Sequence, residues 1–236
     1  MRISQRLAAA VLGGAGLLLA ACGSASMARA ESGVALVAHY ISARPAPPPT
    51  LSNLDPIPDD LGVAGALLGR ADNETTGRFL NHGYGLETVT VSPQEALDAA
   101  RAALAVSPYL ILDTTPDVLL QIADLPEAKQ ALLFNIGAPD ARLRSGDCRA
   151  NLLHTSASYA MRADALTQFL LFKRWTGTAL IAGAAPRDQS FAGAIETSLK
   201  KFGLKAGKRA DWVFDADMRR TASQEVPLFT QKLGEH

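Results

Sequence analysis

Apolar and polar positions alternate along the chain in blocks of two kinds. Short apolar runs that suit buried strands are followed by longer stretches with helical spacing. VALVAHY at 34–40 reads as a first strand that ends in His39 and Tyr40. The stretch 59–77 opens with Asp59 and Asp60 behind Pro58, which suits a helix N-terminus, and closes near Gly77. Gly62, Gly65 and Gly69 leave one side of that helix small, which predicts a close approach to a sheet. LETVTV at 86–91 is the next strand, and Ser92 caps a helix over 93–106. YLILD at 109–113 is a third strand, after which Thr115-Pro116 opens a helix to Ala123. ALLFNIG at 131–137 and RANLLHT at 149–155 follow as strands four and five, and a long helix then runs to about Trp175. TALIAG at 178–183, a helix over 189–202 and ADWVFD at 210–215 complete the pattern. Such alternation predicts an α/β fold: a parallel, doubly wound sheet whose strands are covered on both faces. Ligands of such sheets bind at the carboxyl ends of the strands. The proline-rich stretch 44–58 predicts a stiff loop on the rim of that end.

Residues 1–30 stand apart from this pattern. Two arginines precede an apolar run too short to span a membrane comfortably, the layout of an export signal. Leu19-Ala20-Ala21-Cys22 matches a lipoprotein cleavage site, with Cys22 as the lipidated residue, and Ala28-Arg29-Ala30 matches an ordinary cleavage site. Both predict an exported protein, most simply in a bacterial periplasm, and the first adds a lipid anchor. Charge balances at 23 basic and 23 acidic residues with no block of either sign, which excludes nucleic acid and anionic membrane surfaces as partners. Cys148 is the only cysteine beyond the signal, so no internal disulfide forms, and a lone thiol is expected as a small buried apolar group.

Candidate chemistry is sparse. Cys148 and His154 flank one strand, about 20 Å apart at ~3.3 Å per residue, too far for a nucleophile and its base. His39, His82 and His236 have no zinc-like spacing, and neither a phosphate loop nor G-x-S-x-G is present. No catalytic residue, metal or cofactor is therefore expected. Hydroxyls do gather at strand ends: Thr114 and Thr115 after strand three, Thr155 and Ser156 with Ser158 and Tyr159 after strand five. Two of these ends open helices, whose free N–H groups favour an anion. The same residues also suit plain helix caps, and Tyr159 suits a core position against Ala163, Leu166 and Leu170.

The stretches LSNLDPIPDDLGVAGALLGRADNETTGRFL and DCRANLLHTSASYAMRADALTQFLLFKRW carry a resemblance. From Val34 to the C-terminus the chain resembles the type I periplasmic binding proteins of the branched-chain amino-acid transporter class. Within that class it looks like the branch associated with PQQ-dependent alcohol dehydrogenase systems. The resemblance implies two lobes, a first over 31–175 and a partial second over 176–236, with a small polar ligand between them. It implies ligand contacts from Thr114, Thr115, Thr155, Ser156 and Tyr159 in the first lobe and from Asp188 in the turn after the second lobe's first strand. It implies the membrane subunits of an ABC importer as partners and no catalytic activity. An alternative is a non-catalytic accessory or sensor protein of a periplasmic quinoprotein alcohol-oxidation system. The chain departs from the pattern at Phe191-Ala192, where family members often carry tyrosine-glycine. It departs again at Asp113, a carboxylate expected to repel a ligand carboxylate and favour an amine. It also ends where family members continue through more second-lobe strands, which predicts a truncated second lobe.

Overall fold

The computed structural model describes residues 33–46, 57–213 and 226–233. Cys22, both cleavage sites and most of the proline-rich stretch lie outside them. Five strands form a parallel sheet in the order β2-β1-β3-β4-β5. They are β1 (Ala35–Ala43), β2 (Gly83–Thr90), β3 (Tyr109–Thr114), β4 (Leu132–Asn135) and β5 (Leu152–His154). The connecting helices are α1 (Val63–Leu80), α2 (Ala96–Leu104) and α3 (Pro116–Ala123). Short 3-10 turns at Pro126–Gln130 and Ala141–Arg144 flank β4. Beyond β5 come α4 (Tyr159–Phe172), β6 (Leu180–Gly183), α5 (Pro186–Lys201), β7 (Arg209–Trp212) and α6 (Val226–Leu233). Strands β6 and β7 pair in parallel as a second, two-stranded sheet.

The core lies on one face of the large sheet. Ile41, Leu110, Leu112 and Leu133 are fully buried there against Ala96, Ala100, Leu119 and Ile122 of α2 and α3. Alanines on α2 let that helix approach closely, and each buried leucine contributes about 1.5–3 kcal/mol. The opposite face is covered unevenly, with Tyr40 fully buried there. Tyr40, Ile111, Phe134 and Leu153 share one row across it. Leu132 and Leu153 on that face remain 42% and 43% exposed.

Several boundaries move, each for a local reason. Strand β1 continues to Ala43, because Ile41 and Ala43 pack into the core and pair with β3, so His39 and Tyr40 lie inside the strand rather than at its end. Helix α1 starts only after Gly62, whose φ is 87°, and runs past Gly77 to Leu80, with Asn81 closing it in the left-handed region. Gly65 and Gly69 face open space, whereas Gly77 is the close approach, against His82 O and the Tyr84 ring of β2. The fifth strand is short, which leaves Cys148 exposed in a turn held by its N–H to Ser145 O, and not buried as expected. Helix α5 begins at Pro186, so Asp188 and Phe191 are helical and not in the preceding turn. Helix α4, grouped with the first five strands by the sequence pattern, packs along α5.

Candidate functional site

The carboxyl ends of β3 and β5 flank that of β4, about 10 Å apart at ~4.8 Å per strand. Thr114 is buried at the end of β3, and its hydroxyl donates to Thr115 O at 3.2 Å. Thr115 is the N-cap position of α3, but its side chain makes no cap bond, so its hydroxyl stays available. Thr155 donates to Asn135 O through both its N–H, at 3.1 Å, and its hydroxyl, at 3.3 Å. Ser158, two residues beyond Ser156, is the true cap of α4: its Oγ accepts the Met161 N–H at 3.2 Å. The strand-end hydroxyls therefore divide. Ser158 is structural, Thr115 and Ser156 are not caps by their side chains, and Thr155 is held in place by β4.

His154 is fully engaged and has no part in a thiol pair. Its Nδ1 lies 2.9 Å from Asn135 Nδ2 and its Nε2 lies 3.2 Å from Leu143 O. Burial, and then the Arg144 guanidinium, pull its pKa down, so the neutral ring persists. Asn135 is fully buried and also holds the turn after β4, donating to Ala138 O and accepting the Gly137 and Ala138 N–H groups. Arg144 donates to Ser156 O, while its Nη1 is buried without a partner. No carboxylate pairs with it among the described residues, and burial lowers its pKa.

Where α4 meets α5, Tyr159 stacks on Phe191 with ring centroids 4.8 Å apart. The Tyr159 N–H donates to Pro139 O at 2.7 Å, and the Ser190 hydroxyl donates to Asp140 Oδ1 at 3.1 Å. Burial and then Asp140 push the Tyr159 phenol up, with Arg187, Arg162 and Asp188 also felt there. Asp188 sits in the first turn of α5 against Gly183, where a Cβ would stand 2.3 Å from its Oδ2, and it pairs with Arg187 at 3.4 Å. Tyr159 and Asp188 thus share one neighbourhood, and Phe191 offers Tyr159 a ring stack and no hydroxyl. A depression of about 320 Å³ follows the α4–α5 seam past Tyr159, Asp164, Ser190 and Lys201. It does not include Thr114, Thr115, Thr155 or Ser156.

The largest surprise is at Asp113, which is 1% exposed. Tyr40 donates to its Oδ2 at 3.2 Å and Arg44 Nε to its Oδ1 at 2.5 Å. Its charge is met from inside the protein and does not face a ligand as a free carboxylate. Burial first, and Asp113 next, push the Tyr40 phenol up to about 12, so it stays a protonated donor. Neither Arg44 nor Arg144 was recognisable as a site residue from the sequence: Arg44 opens a proline-rich run, and Arg144 sits in a charged turn. Among the described residues no three His, Cys, Asp or Glu side chains gather as metal ligands. No described helix is long and apolar enough to cross a membrane.

The fold is shared with proteins of known structure. An ABC transporter substrate-binding protein from Desulfitobacterium hafniense aligns with a TM-score of 0.53 at 14% identity, over 84% of this chain and 56% of that one. A substrate-binding protein from the same organism, solved in complex with Leu, aligns with a TM-score of 0.54 at 15% identity over the same shares. The chain therefore spans a little over half the length of these structures. No family model matches the chain. No curated protein matches it. What the likeness establishes is the fold of an ABC transporter substrate-binding protein.

Proposed function

We propose that this chain is the solute-binding component of an ABC importer, exported to the periplasm and without catalytic activity. One observation carries the reading: hydroxyls gather at the carboxyl ends of strands of a parallel sheet, and a second α/β unit follows it in the chain, in a fold shared with substrate-binding proteins. Thr114, Thr115, Thr155 and Ser156 line the first side, and Tyr159 and Asp188 the second. A binding protein needs preformed polar groups in a cleft rather than an activated nucleophile. Closure of one unit on the other would couple ligand to the membrane subunits.

The test is equilibrium binding and thermal shift with the exported full chain across amino acids, small carboxylic acids, alcohols and PQQ, since any ligand that prefers the native state raises apparent stability. Alanine at Thr155 or Ser156 should weaken binding by about 0.5–1.5 kcal/mol per lost hydrogen bond. Wild-type affinity in the double variant removes both from the site. A lipid anchor at Cys22 belongs to the same reading, and the N-terminal mass of the exported protein decides it: a mature N-terminus at Glu31 excludes lipidation. The second reading, an accessory or sensor protein of a quinoprotein alcohol-oxidation system, rests on the two stretches quoted above. Co-purification with a dehydrogenase, without ligand binding, would favour it.

A further inference from the structure

The Tyr40–Asp113–Arg44 cluster lies where the winding of the sheet reverses. From β1 the chain leaves through α1 to β2, and from β3 it leaves through α3 to β4, in the opposite direction. Right-handed crossovers of opposite direction put α1 and α3 on opposite faces, and in sheets wound this way ligands bind outside the carboxyl ends of the two strands where the winding reverses, here β1 and β3. Arg44 follows Ala43, the last residue of β1, which pairs with Thr114, the last residue of β3.

The position of the guanidinium can be fixed more closely. Asp113 Oδ1, which accepts from Arg44 Nε, also stands where a Cβ on Gly137 would come within 2.3 Å. Gly137 follows β4, so Arg44 lies over the end of β3 toward the exit of β4. On the other side a Cβ on Gly62 would stand 2.5 Å from the Tyr40 hydroxyl and 3.5 Å from Asp113 Oδ2. Asp113 is thus closed in by two side-chain-free walls and has spent both oxygens inward. Arg44 uses only its Nε edge on Asp113. Its side chain is 48% exposed, and among the described residues no acceptor meets its Nη groups. A guanidinium offers five donors in a planar fork that matches a carboxylate. The other strand-end cation, Arg144, has no carboxylate partner among the described residues.

We propose that Arg44 is a ligand-binding residue that takes the carboxylate of a small organic acid, with Asp113 as its positioning residue. The inference rests on the solute-binding reading and names its ligand class. It reverses the expectation that Asp113 selects an amine.

Matched pairs of acid and amide decide it: succinate against succinamide, and L-leucine against L-leucinamide, with inorganic phosphate as a further arm. Binding is measured by calorimetry at low ionic strength on the exported full chain. At least one acid should bind at least tenfold more tightly than its amide. Arg44→Gln should remove that preference, and Arg44→Lys should restore part of it. Because Arg44→Gln leaves Asp113 buried without its cation, the double variant Arg44→Gln/Asp113→Asn provides a charge-balanced background in which the acid preference should also be lost. Asp113→Asn alone should weaken acid binding several-fold while keeping the preference over the amide. Acid binding unchanged in the folded double variant overturns the proposal, as does a preference for phosphate over every acid. Binding of amides or amines independent of Arg44 overturns it while the solute-binding reading stands. A chain that binds no member of the panel takes down both.

Discussion

Gly137 shows how one residue governs the candidate site. A Cβ there would press on Asp113 Oδ1 at 2.3 Å, on the Asp113 Cα at 3.2 Å and on the Thr114 N at 3.1 Å. Two of these are backbone atoms of β3, so the strand cannot yield by a rotamer change alone. Gly137→Ala should destabilise the protein by about 1–3 kcal/mol, as overpacking does. Gly65→Ala is the contrast: nothing lies within 4 Å, the site is inside α1, and the change should stabilise by ~0.5–1 kcal/mol. Urea unfolding of the two variants checks the pair, and equal midpoints would mean the crowding around Asp113 is not real. The cluster was only half legible in the sequence. Asp113 stood out as a carboxylate at the end of an apolar strand. Its partners lie 69 and 73 residues away, and no local pattern encodes a contact set by strand order.

At the scale of elements, periodicity revealed strands such as β3 and β4 because they are short and apolar, as a covered parallel sheet demands. It misplaced helix edges and packing partners. The glycines of α1 suggested a close face, but the face that meets β2 is the one with Gly77. Helix α4 looked like part of the first unit, yet it packs along α5, and its Met161, Leu166, Phe169 and Phe172 stay exposed. The seam between α4 and α5 is held by Tyr159 on Phe191 and by Asp164, which accepts from Lys201 Nζ at 2.5 Å and from Ser198 Oγ at 2.8 Å. Lys201, and then Ser198, hold the Asp164 carboxyl below its ordinary value. The sign follows directly. A carboxylate depressed in the folded state contributes its full stabilisation above the unfolded pKa of about 3.9, and loses it as pH falls through the folded value. Asp164→Asn should therefore lower the melting temperature most at neutral pH, with the gap from wild type closing below about pH 4. Salt should shrink the gap, since Lys201 is more than half exposed. A gap independent of pH would show that the seam does not use the charge.

At the scale of the molecule, the two α/β units are built with different depth. The large sheet has three interior strands, and Ile41, Leu110, Leu112 and Leu133 on them are fully buried. Among the described residues the second sheet has two strands, each four residues long. Two strands alone are marginal, and stability must come from helices laid on them. Here that support is Gln189 of α5, donating to Gly183 O at 2.7 Å and Asp211 Oδ1 at 3.1 Å, and Phe229 of α6, set edge-on to Trp212 at 4.8 Å. Polar ties at exposed positions contribute little, so opening of β6 and β7 should cost much less than opening of β1, β3 or β4. Native-state hydrogen exchange measures this directly, because each amide reports the cheapest opening that frees it. The amides of β1, β3 and β4 should exchange only through global unfolding, whereas those of β7 should exchange through a smaller opening with a lower dependence on denaturant. A ligand that bridges the units should raise protection in α5 and β6 more than in β3, since β3 is already at the global limit. If β7 exchanges as slowly as β3 without ligand, the second unit is as stable as the first, and closure cannot draw on its flexibility.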